Sequence, residues 1–174
     1  MSRRRGWRWL LGMESPPAGF AGRLAPDERV LASTTVAGGE VVLVTPLGIW
    51  LPENRRLGWH LVSKASWAAG VLTLVEADEQ GTLGDAVLLV DRPPRPLALA
   101  EPGSIPEIVH LRVTGSIKAR HRVEVPGGGA WLLSRAVPGR DGVVLQVRPD
   151  PGTDIETLRG ALPDAVGALK EDTP

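Results

Sequence analysis

The sequence predicts a mainly β protein of the α+β class: an antiparallel barrel of about seven strands capped by one helix, then a two- or three-strand extension and a short C-terminal helix. Three observations lead to this prediction. Apolar and polar residues alternate over 28–100, Gly- and Pro-containing turns divide that stretch at short spacing, and the apolar period then becomes helical. Parallel pairing needs long crossovers, so neighbouring strands are expected to be antiparallel.

Short segments rich in Val, Leu and Thr are the strand candidates. They cover 28–36, 40–46, 48–52, 56–67, 71–77, 86–91 and 96–100. Segment 56–67 alternates most clearly and is expected to bend near Ser63. Its predicted core face consists of Leu57, Trp59, Leu61, Ala65 and Trp67. The Pro-rich segment 91–96 should leave regular pairing, because proline has no ladder donor.

A helix is predicted over 104–117. Ser104 and Glu107 have the spacing of a capping box, and Pro106 is tolerated in a first helical turn. One apolar stripe follows at a spacing of four residues, which indicates a helix of about 12–14 residues with one buried face. The stripe consists of Ile105, Val109, Val113 and Ile117.

The remainder of the chain predicts an extension of the same domain. Strands are expected at 118–125, 130–137 and 142–148, and Thr153 with Glu156 forms a second capping box. The helix that it opens should be short and interrupted at Pro163. The chain is thus divided into a basic, Trp-containing arm (1–24), a barrel with its helix (25–118), and a hairpin extension with a C-terminal helix (119–174).

Composition limits the classes of function. The chain has no cysteine, which excludes disulfides, thiolate zinc sites and thiol catalysis. Neither a metalloprotease His-Glu-x-x-His motif nor a Gly-x-Ser-x-Gly nucleophile elbow occurs, so no cofactor, metal or small-molecule substrate is inferred and a non-enzymatic protein is predicted. No segment predicts a membrane span or an export signal, and a cytoplasmic location, with peripheral membrane association as an option, is expected.

Several segments resemble a group of uncharacterised actinobacterial proteins that have a pleckstrin-homology-like (PH-like) domain. The segments are Asp27 to Ala32, Val44-Thr45, Gly48 to Pro52, Trp59 to Trp67, Gly70 to Leu74 and the helix from Ile105 to Thr114. The resemblance implies a PH-like barrel that binds lipid headgroups, peptides or partner proteins. The loop at 36–40 has no Lys or Arg, so the basic cluster of headgroup-binding PH domains is missing from it.

A protein partner is the first functional hypothesis. Its contact surface would be the groove between helix 104–117 and the sheet, or the region of Trp50, which the alternation of 49–51 places outward. Trp59 and Trp67 are expected in the core, and the orientation of Trp131 stays open.

The second hypothesis is peripheral association with an anionic surface, either a membrane or RNA. The residues for it lie in the N-terminal arm, where arginines would meet phosphates and indoles would insert or stack, although packing of this arm on the barrel remains the alternative. They are Arg3, Arg4, Arg5, Trp7, Arg8 and Trp9.

A second basic segment lies at 118–122. Lys118, Arg120 and Arg122 share one face of a predicted strand, at a repeat of roughly 6.6–7 Å, which suits an anion stripe. A solvated edge strand protected against aggregation explains the same pattern.

Overall fold

The computed structural model describes residues 15–172, in which eleven strands and two helices occur. The strands are β1 (Ala32–Thr35), β2 (Val41–Val44), β3 (Gly48–Trp50), β4 (Arg56–Gly58), β5 (Val62–Ala68), β6 (Val71–Leu83), β7 (Ala86–Asp91), β8 (Arg95–Ala98), β9 (Ile117–Val125), β10 (Gly128–Ala136) and β11 (Val143–Pro149). The helices are α1 (Ile105–Ser116) and α2 (Ile155–Glu171). The prediction of a mainly β chain with two helices is confirmed.

The strands form two sheets. The first is a four-stranded antiparallel meander, β1-β2-β3-β4. The second has seven strands in the order β5-β6-β7-β11-β10-β9, with β8 also paired to β6. Strand β6 is long and pairs with different strands along its length. Its first half pairs with β5 and β8, and its second half pairs with β7. The curled second sheet thereby forms a half-barrel.

One pair departs from the expected antiparallel arrangement. Strands β7 and β11 pair in parallel, through Gln146 with Val87 and Val147 with Leu88. The chain between them includes α1 and three further strands, which is long enough for the crossover that parallel neighbours require.

The apolar side chains form two main cores, one packed against α1 and the other against α2. In the first, β1–β6 and β8 enclose apolar side chains against α1, and Ile105, Val109 and Val113 of the predicted stripe are buried there. Ile117, the fourth residue of that stripe, lies outside α1 and begins β9. In the second, the sheet formed by β9, β10 and β11 packs against α2 through Leu158, Leu162 and Leu169. Both helices therefore stabilise the fold through one apolar face each.

Segment 56–67 is not one bent strand, so that prediction is wrong. A 3-10 turn at Trp59–Leu61 divides it into β4 of the first sheet and β5 of the second. Trp59 is fully buried, and its indole nitrogen donates to the carbonyl oxygen of Thr45 at 3.0 Å. Trp67 is 40% exposed at the end of β5, which contradicts its predicted core position. Alternation correctly placed the Trp67 side chain on the core-facing side of β5, where it lies opposite the buried Leu72. It did not predict that Trp67 lies at the end of the strand, where solvent reaches the ring.

Both predicted helix starts differ in detail. Ser104 makes no side-chain capping bond. The cap of α2 is Asp154, which accepts from the Thr157 amide at 2.9 Å, while the Thr153 hydroxyl is bonded to the backbone of Gly129. The prediction of a short helix interrupted at Pro163 is wrong, because α2 has 17 residues and continues through Pro163.

The predicted irregular segment 91–96 is partly confirmed. Residues 92–94 lie outside the strands, but Arg95 and Pro96 begin β8, where Pro96 lies opposite Thr73 of β6. A proline is compatible with this position because β8 is bonded to β6 on one side only.

Candidate interaction site

The basic stripe predicted on β9 is present as a row of three side chains on one face. Along β9 the basic side chains alternate with side chains on the opposite face of the strand, which is the face toward the second core. The basic residues are Lys118, Arg120 and Arg122, and the others are Ala119, His121 and Val123. Strand β10 runs antiparallel beside it, with Trp131 directly opposite Arg122. Because cross-strand partners share a face, Trp131 joins the basic row.

Trp131 is the aromatic centre of this surface. It is 39% exposed, whereas its neighbours Ala130 and Leu132 are buried on the other face. The guanidinium carbons of Arg120 and Arg122 lie 5.6 and 5.5 Å from the centroid of its ring. Such cation–π contacts hold the indole and the two arginines together.

The three basic side chains differ in how far they are neutralised. Arg122 forms ion pairs with Asp150 and Glu124, and the hydrogen bond from Arg122 lowers the pKa of Asp150. Lys118 donates to the carbonyl oxygen of Gly115 at 2.9 Å. Arg120 forms no ion pair with any residue in 15–172, so its charge is available to a ligand.

Next to Trp131 lies a cleft of about 660 Å³ between the ends of β7 and β11. We call it the Trp131 cleft. Its volume is within the range of pockets that hold ligands, which is roughly 300–1,000 Å³. Its walls combine apolar and charged side chains: Leu88, Leu89, Val90, Asp91, Trp131, Arg148, Pro149, Asp150 and Ile155.

The cleft exists because the parallel pairing of β7 and β11 stops after two residue pairs. The amide of Asp150 donates to Gly129 of β10 at 2.9 Å, so by alternation the backbone nitrogen of Pro149 faces β7. Proline has no N–H to donate there, and the ladder cannot continue. Beyond this point the two strands are not paired with each other.

Arg148 and Asp91 connect the two strands across the inner part of the cleft. The guanidinium of Arg148 donates to the Asp91 carboxylate at 2.8 Å, and the hydroxyl of Ser63 donates to the other carboxylate oxygen. The Nε of Arg148 is buried and has no hydrogen-bond partner among the described residues.

A second cavity of about 350 Å³ lies where the first sheet meets β6 and the segment before β8. Its charged groups satisfy one another: Arg95 forms two 2.7 Å hydrogen bonds with Glu53, and Arg55 binds Glu76 at 2.7 and 2.9 Å. The hydrogen bond from Arg95 lowers the pKa of Glu53 to about 2. With every charge paired, this network holds the two sheets together and leaves little for a ligand.

The predicted groove beside α1 is the smallest of these cavities, at about 250 Å³. It lies between Leu111 of α1 and the segment Ala136–Pro138 after β10, with Trp59 in its wall. Leu111 is exposed, and Arg112, which also lines this cavity, forms no ion pair with any residue in 15–172.

The other predicted contact residues are Trp50 and the residues of the N-terminal arm. Trp50 is only 7% exposed, with its indole N–H donating to Glu28 at 2.9 Å and its ring in edge contact with Phe20. The prediction of an outward, partner-binding Trp50 is therefore wrong, because the segment before β1 covers it. Arg3, Arg4, Arg5, Trp7, Arg8 and Trp9 lie outside the described residues.

Within residues 15–172 no three His, Asp or Glu side chains come together as metal ligands. Burial, together with the charges of Arg135 and Arg140, lowers the pKa of His60 to about 4. None of the helices in this part of the chain is long and apolar enough to cross a membrane.

Comparisons with protein-family models, with curated proteins and with solved structures found no match to the chain.

Sequence reasoning found the basic stripe but not the cleft beside it. The alternation of Ala130, Trp131 and Leu132 was available as a sign that Trp131 faces outward, and Pro149 and Pro151 were signs that pairing ends there. The parallel neighbour β7 is remote in sequence, so the second wall could not be deduced.

Proposed function

We propose that the chain is a non-enzymatic protein-interaction module of PH-like fold, and that it binds an acidic segment of a protein partner in the Trp131 cleft. The observation that carries this proposal is an exposed indole that lines an open cleft and is in cation–π contact with Arg120, which has no ion pair within residues 15–172.

Support for the PH-like fold comes from the order of the elements. The four-stranded meander β1–β4 precedes β6 with its two partners β5 and β8, and helix α1 follows. The ends of this unit meet: Val36 forms a bridge with Leu99, and the amide of Ala100 donates to Thr35 at 2.9 Å. Strand β7 is an additional strand in this scheme.

Support for the cleft as the contact surface comes from its chemistry. Tryptophan and arginine are enriched among the interface residues that contribute most of the binding energy. The planar guanidinium of arginine is preorganised, so little side-chain entropy is lost for each hydrogen bond that it forms. Trp131 combines an exposed ring with two adjacent guanidinium groups. A partner carboxylate that reaches Arg120 would gain a charge-assisted hydrogen bond without displacing an existing ion pair.

Two tryptophans of nearly equal exposure provide the test. Trp131 is 39% exposed beside the cleft, and Trp67 is 40% exposed at the end of β5. We expect a protein captured from native lysate to be lost with Trp131→Ala and retained with Trp67→Ala. The captured protein, once purified, should bind Trp131→Ala at least tenfold more weakly in calorimetry, a loss of about 1.4 kcal/mol.

Binding that depends equally on both tryptophans, or on neither, would contradict the proposal. Association with anionic vesicles or RNA that disappears on deletion of residues 1–13 and falls steeply with salt would favour the basic arm instead.

A further inference from the structure

We propose that the acidic partner segment has two apolar anchors, one held at Trp131 and the other in the groove beside α1, with its carboxylates on the basic row of β9 between them. This inference rests on the proposed function and specifies the length and the chemical pattern of the segment.

The groove beside α1 provides the second anchor site. Its volume of about 250 Å³ lies below the roughly 300–1,000 Å³ of small-molecule pockets, so it suits one apolar side chain of a larger partner. Leu111 at its rim is 60% exposed, the largest exposure of any large apolar side chain in residues 15–172. Val137 and Pro138 line the groove as well, so an apolar side chain there would bury apolar surface on two elements.

The basic row of β9 leads from this groove to Trp131. At one end, Lys118 donates to the carbonyl oxygen of Gly115 at 2.9 Å, and Gly115 lines the groove. At the other end, Arg122 lies opposite Trp131 across the β9–β10 ladder. The groove and the indole are therefore the two ends of one continuous surface.

The length of that surface sets the length of the segment. At a strand rise of roughly 3.3 Å per residue, Lys118 and Arg122 are about 13 Å apart. Leu111 lies a further turn away on α1, about 6 Å before Gly115. The anchor sites are thus separated by roughly 15–25 Å, which an extended chain spans with about five to seven residues.

The charges along this surface favour a negatively charged segment. Arg112 in the groove and Arg120 in the middle of the row form no ion pair with any residue in 15–172, and Lys118 is bonded to a carbonyl oxygen. Arg122, by contrast, is already compensated by two carboxylates. Partner carboxylates would therefore be drawn to the first three of these cations, and such contacts fix the register of a complex.

Exposed charges alone do not explain tight binding, because a surface ion pair contributes roughly 0–1 kcal/mol. Apolar contacts at Trp131 and Leu111 supply the larger share, since both side chains lose exposed apolar area when a partner covers them. When one anchor is bound, the other is held close to its own site, so two modest contacts on one segment give a higher overall affinity.

The test uses a phage-displayed library of random dodecapeptides selected on the full-length chain. The most enriched peptide, labelled with fluorescein, is then measured by anisotropy on wild type, Trp131→Ala, Leu111→Ala and Val143→Ala. Val143 is 56% exposed at the start of β11, so it is the matched control for Leu111. All three substitutions remove side chains that solvent already reaches, so the fold should be retained.

We expect the peptide to have two apolar residues separated by about five to seven positions that are mainly acidic. Binding should be at least about tenfold weaker with Trp131→Ala, about fivefold weaker with Leu111→Ala, and changed less than about twofold with Val143→Ala. Arg112→Gln should weaken binding and reduce its dependence on salt, whereas Arg159→Gln, on α2, should do neither.

A shortened contact assigns each anchor to its site. A peptide in which one apolar residue is replaced by serine should become insensitive either to Leu111→Ala or to Trp131→Ala, and should stay sensitive to the other, because a contact that is already missing cannot be lost again. Exchange of the serine to the other apolar position should exchange the sensitivity.

The outcomes separate this inference from the proposed function. Peptides that require Trp131 but bind Leu111→Ala as well as Val143→Ala would overturn the second anchor and keep the proposed function. Indifference to Trp131→Ala would overturn both. Failure of any peptide to enrich would reject a short segment with two anchors. Tighter binding of a fluorescein-labelled oligouridylate that Arg112→Gln weakens would also reject it, by assigning the basic row to RNA.

Discussion

The guanidinium of Arg135 donates a 2.8 Å hydrogen bond to the carbonyl oxygen of Trp59 and so joins β10 to the turn at which the chain leaves the first sheet. Arg135 is 1% exposed. Its other acceptors are the Val62 and Val113 carbonyls and the Ser116 hydroxyl, at the C-terminal end of α1. The partial negative charge of a helix C-terminus favours a cation there. Burial nevertheless lowers the pKa of Arg135 to about 10.

Arg135→Met should strongly destabilise the fold. The substitution removes the hydrogen bonds of the buried guanidinium to the Trp59 and Val62 carbonyls and to the Ser116 hydroxyl, and we expect a loss of about 3 kcal/mol in the free energy of unfolding. Urea denaturation followed by tryptophan fluorescence measures it. Arg159→Met is the control, because Arg159 is half exposed and its one ion pair within residues 15–172 is with the exposed Glu156. Equal effects of the two substitutions would contradict a structural role for the buried guanidinium.

Glu28→Gln should destabilise the first sheet. The Glu28 carboxylate is fully buried and accepts hydrogen bonds from Thr45, Trp50 and Arg56 at 2.7, 2.9 and 2.6 Å. Burial by itself raises the pKa of Glu28. The hydrogen bonds from Thr45, Trp50 and the Ala25 amide, together with the charge of Arg56, lower the pKa by more, so the net shift is downward. The NH₂ group of a glutamine is a donor and would face the donors that now bind the carboxylate, so at least one of these hydrogen bonds would be lost. We expect a loss of about 2 kcal/mol in the free energy of unfolding.

The measurement for Glu28→Gln is thermal and urea unfolding, with a second readout from the Trp50 environment by near-UV circular dichroism. Glu40→Gln, at an exposed turn position between β1 and β2, is the matched control and should change stability by less than about 0.5 kcal/mol. A Glu28→Gln protein as stable as this control would show that the buried carboxylate is dispensable.

Stability should decrease as pH falls from about 6.5 to about 4, because of His60. Its pKa in the folded chain is about 4, against an ordinary value of 6.5, so in this interval the unfolded chain binds a proton that the folded chain does not. The effect is at most about 3 kcal/mol, and it should be complete below the folded pKa.

The His60 contribution is isolated by comparing variants across that pH range. His60→Gln should flatten the dependence of the unfolding free energy on pH, while His110→Gln, at an exposed helix position, should not. An unchanged slope in His60→Gln would indicate that another group titrates in this interval.

Pro149→Ala should partly close the Trp131 cleft. The new amide at position 149 faces β7 and can donate to Leu89, which extends the parallel ladder by one bond. The gain of about 1 kcal/mol from this bond is offset by the greater entropy of the unfolded chain, so stability should change little. The decisive measurement is slow hydrogen exchange at residue 149, with Pro151→Ala as the control. Fast exchange at both positions would show that proline is not what ends the pairing.

The sequence by itself determined the class of the fold and the faces of its elements. Alternation and turn spacing identified the strand segments of both sheets, although 56–67 contains two strands and not one, and the spacing of Ile105, Val109 and Val113 identified the buried face of α1. These predictions succeed because side-chain direction follows directly from local backbone geometry. The same logic placed Lys118, Arg120 and Arg122 in one row on β9.

The tertiary structure decided which of those faces are covered and what lies opposite them. Trp50 is outward in its own strand, yet Phe20 covers it, while Trp67 faces inward and remains exposed at a rim. The Trp131 cleft needs β7 and β11, whose pairing residues are about sixty positions apart in the chain. Local periodicity contains no information on such contacts, because they arise only when separate segments compete to bury their apolar faces.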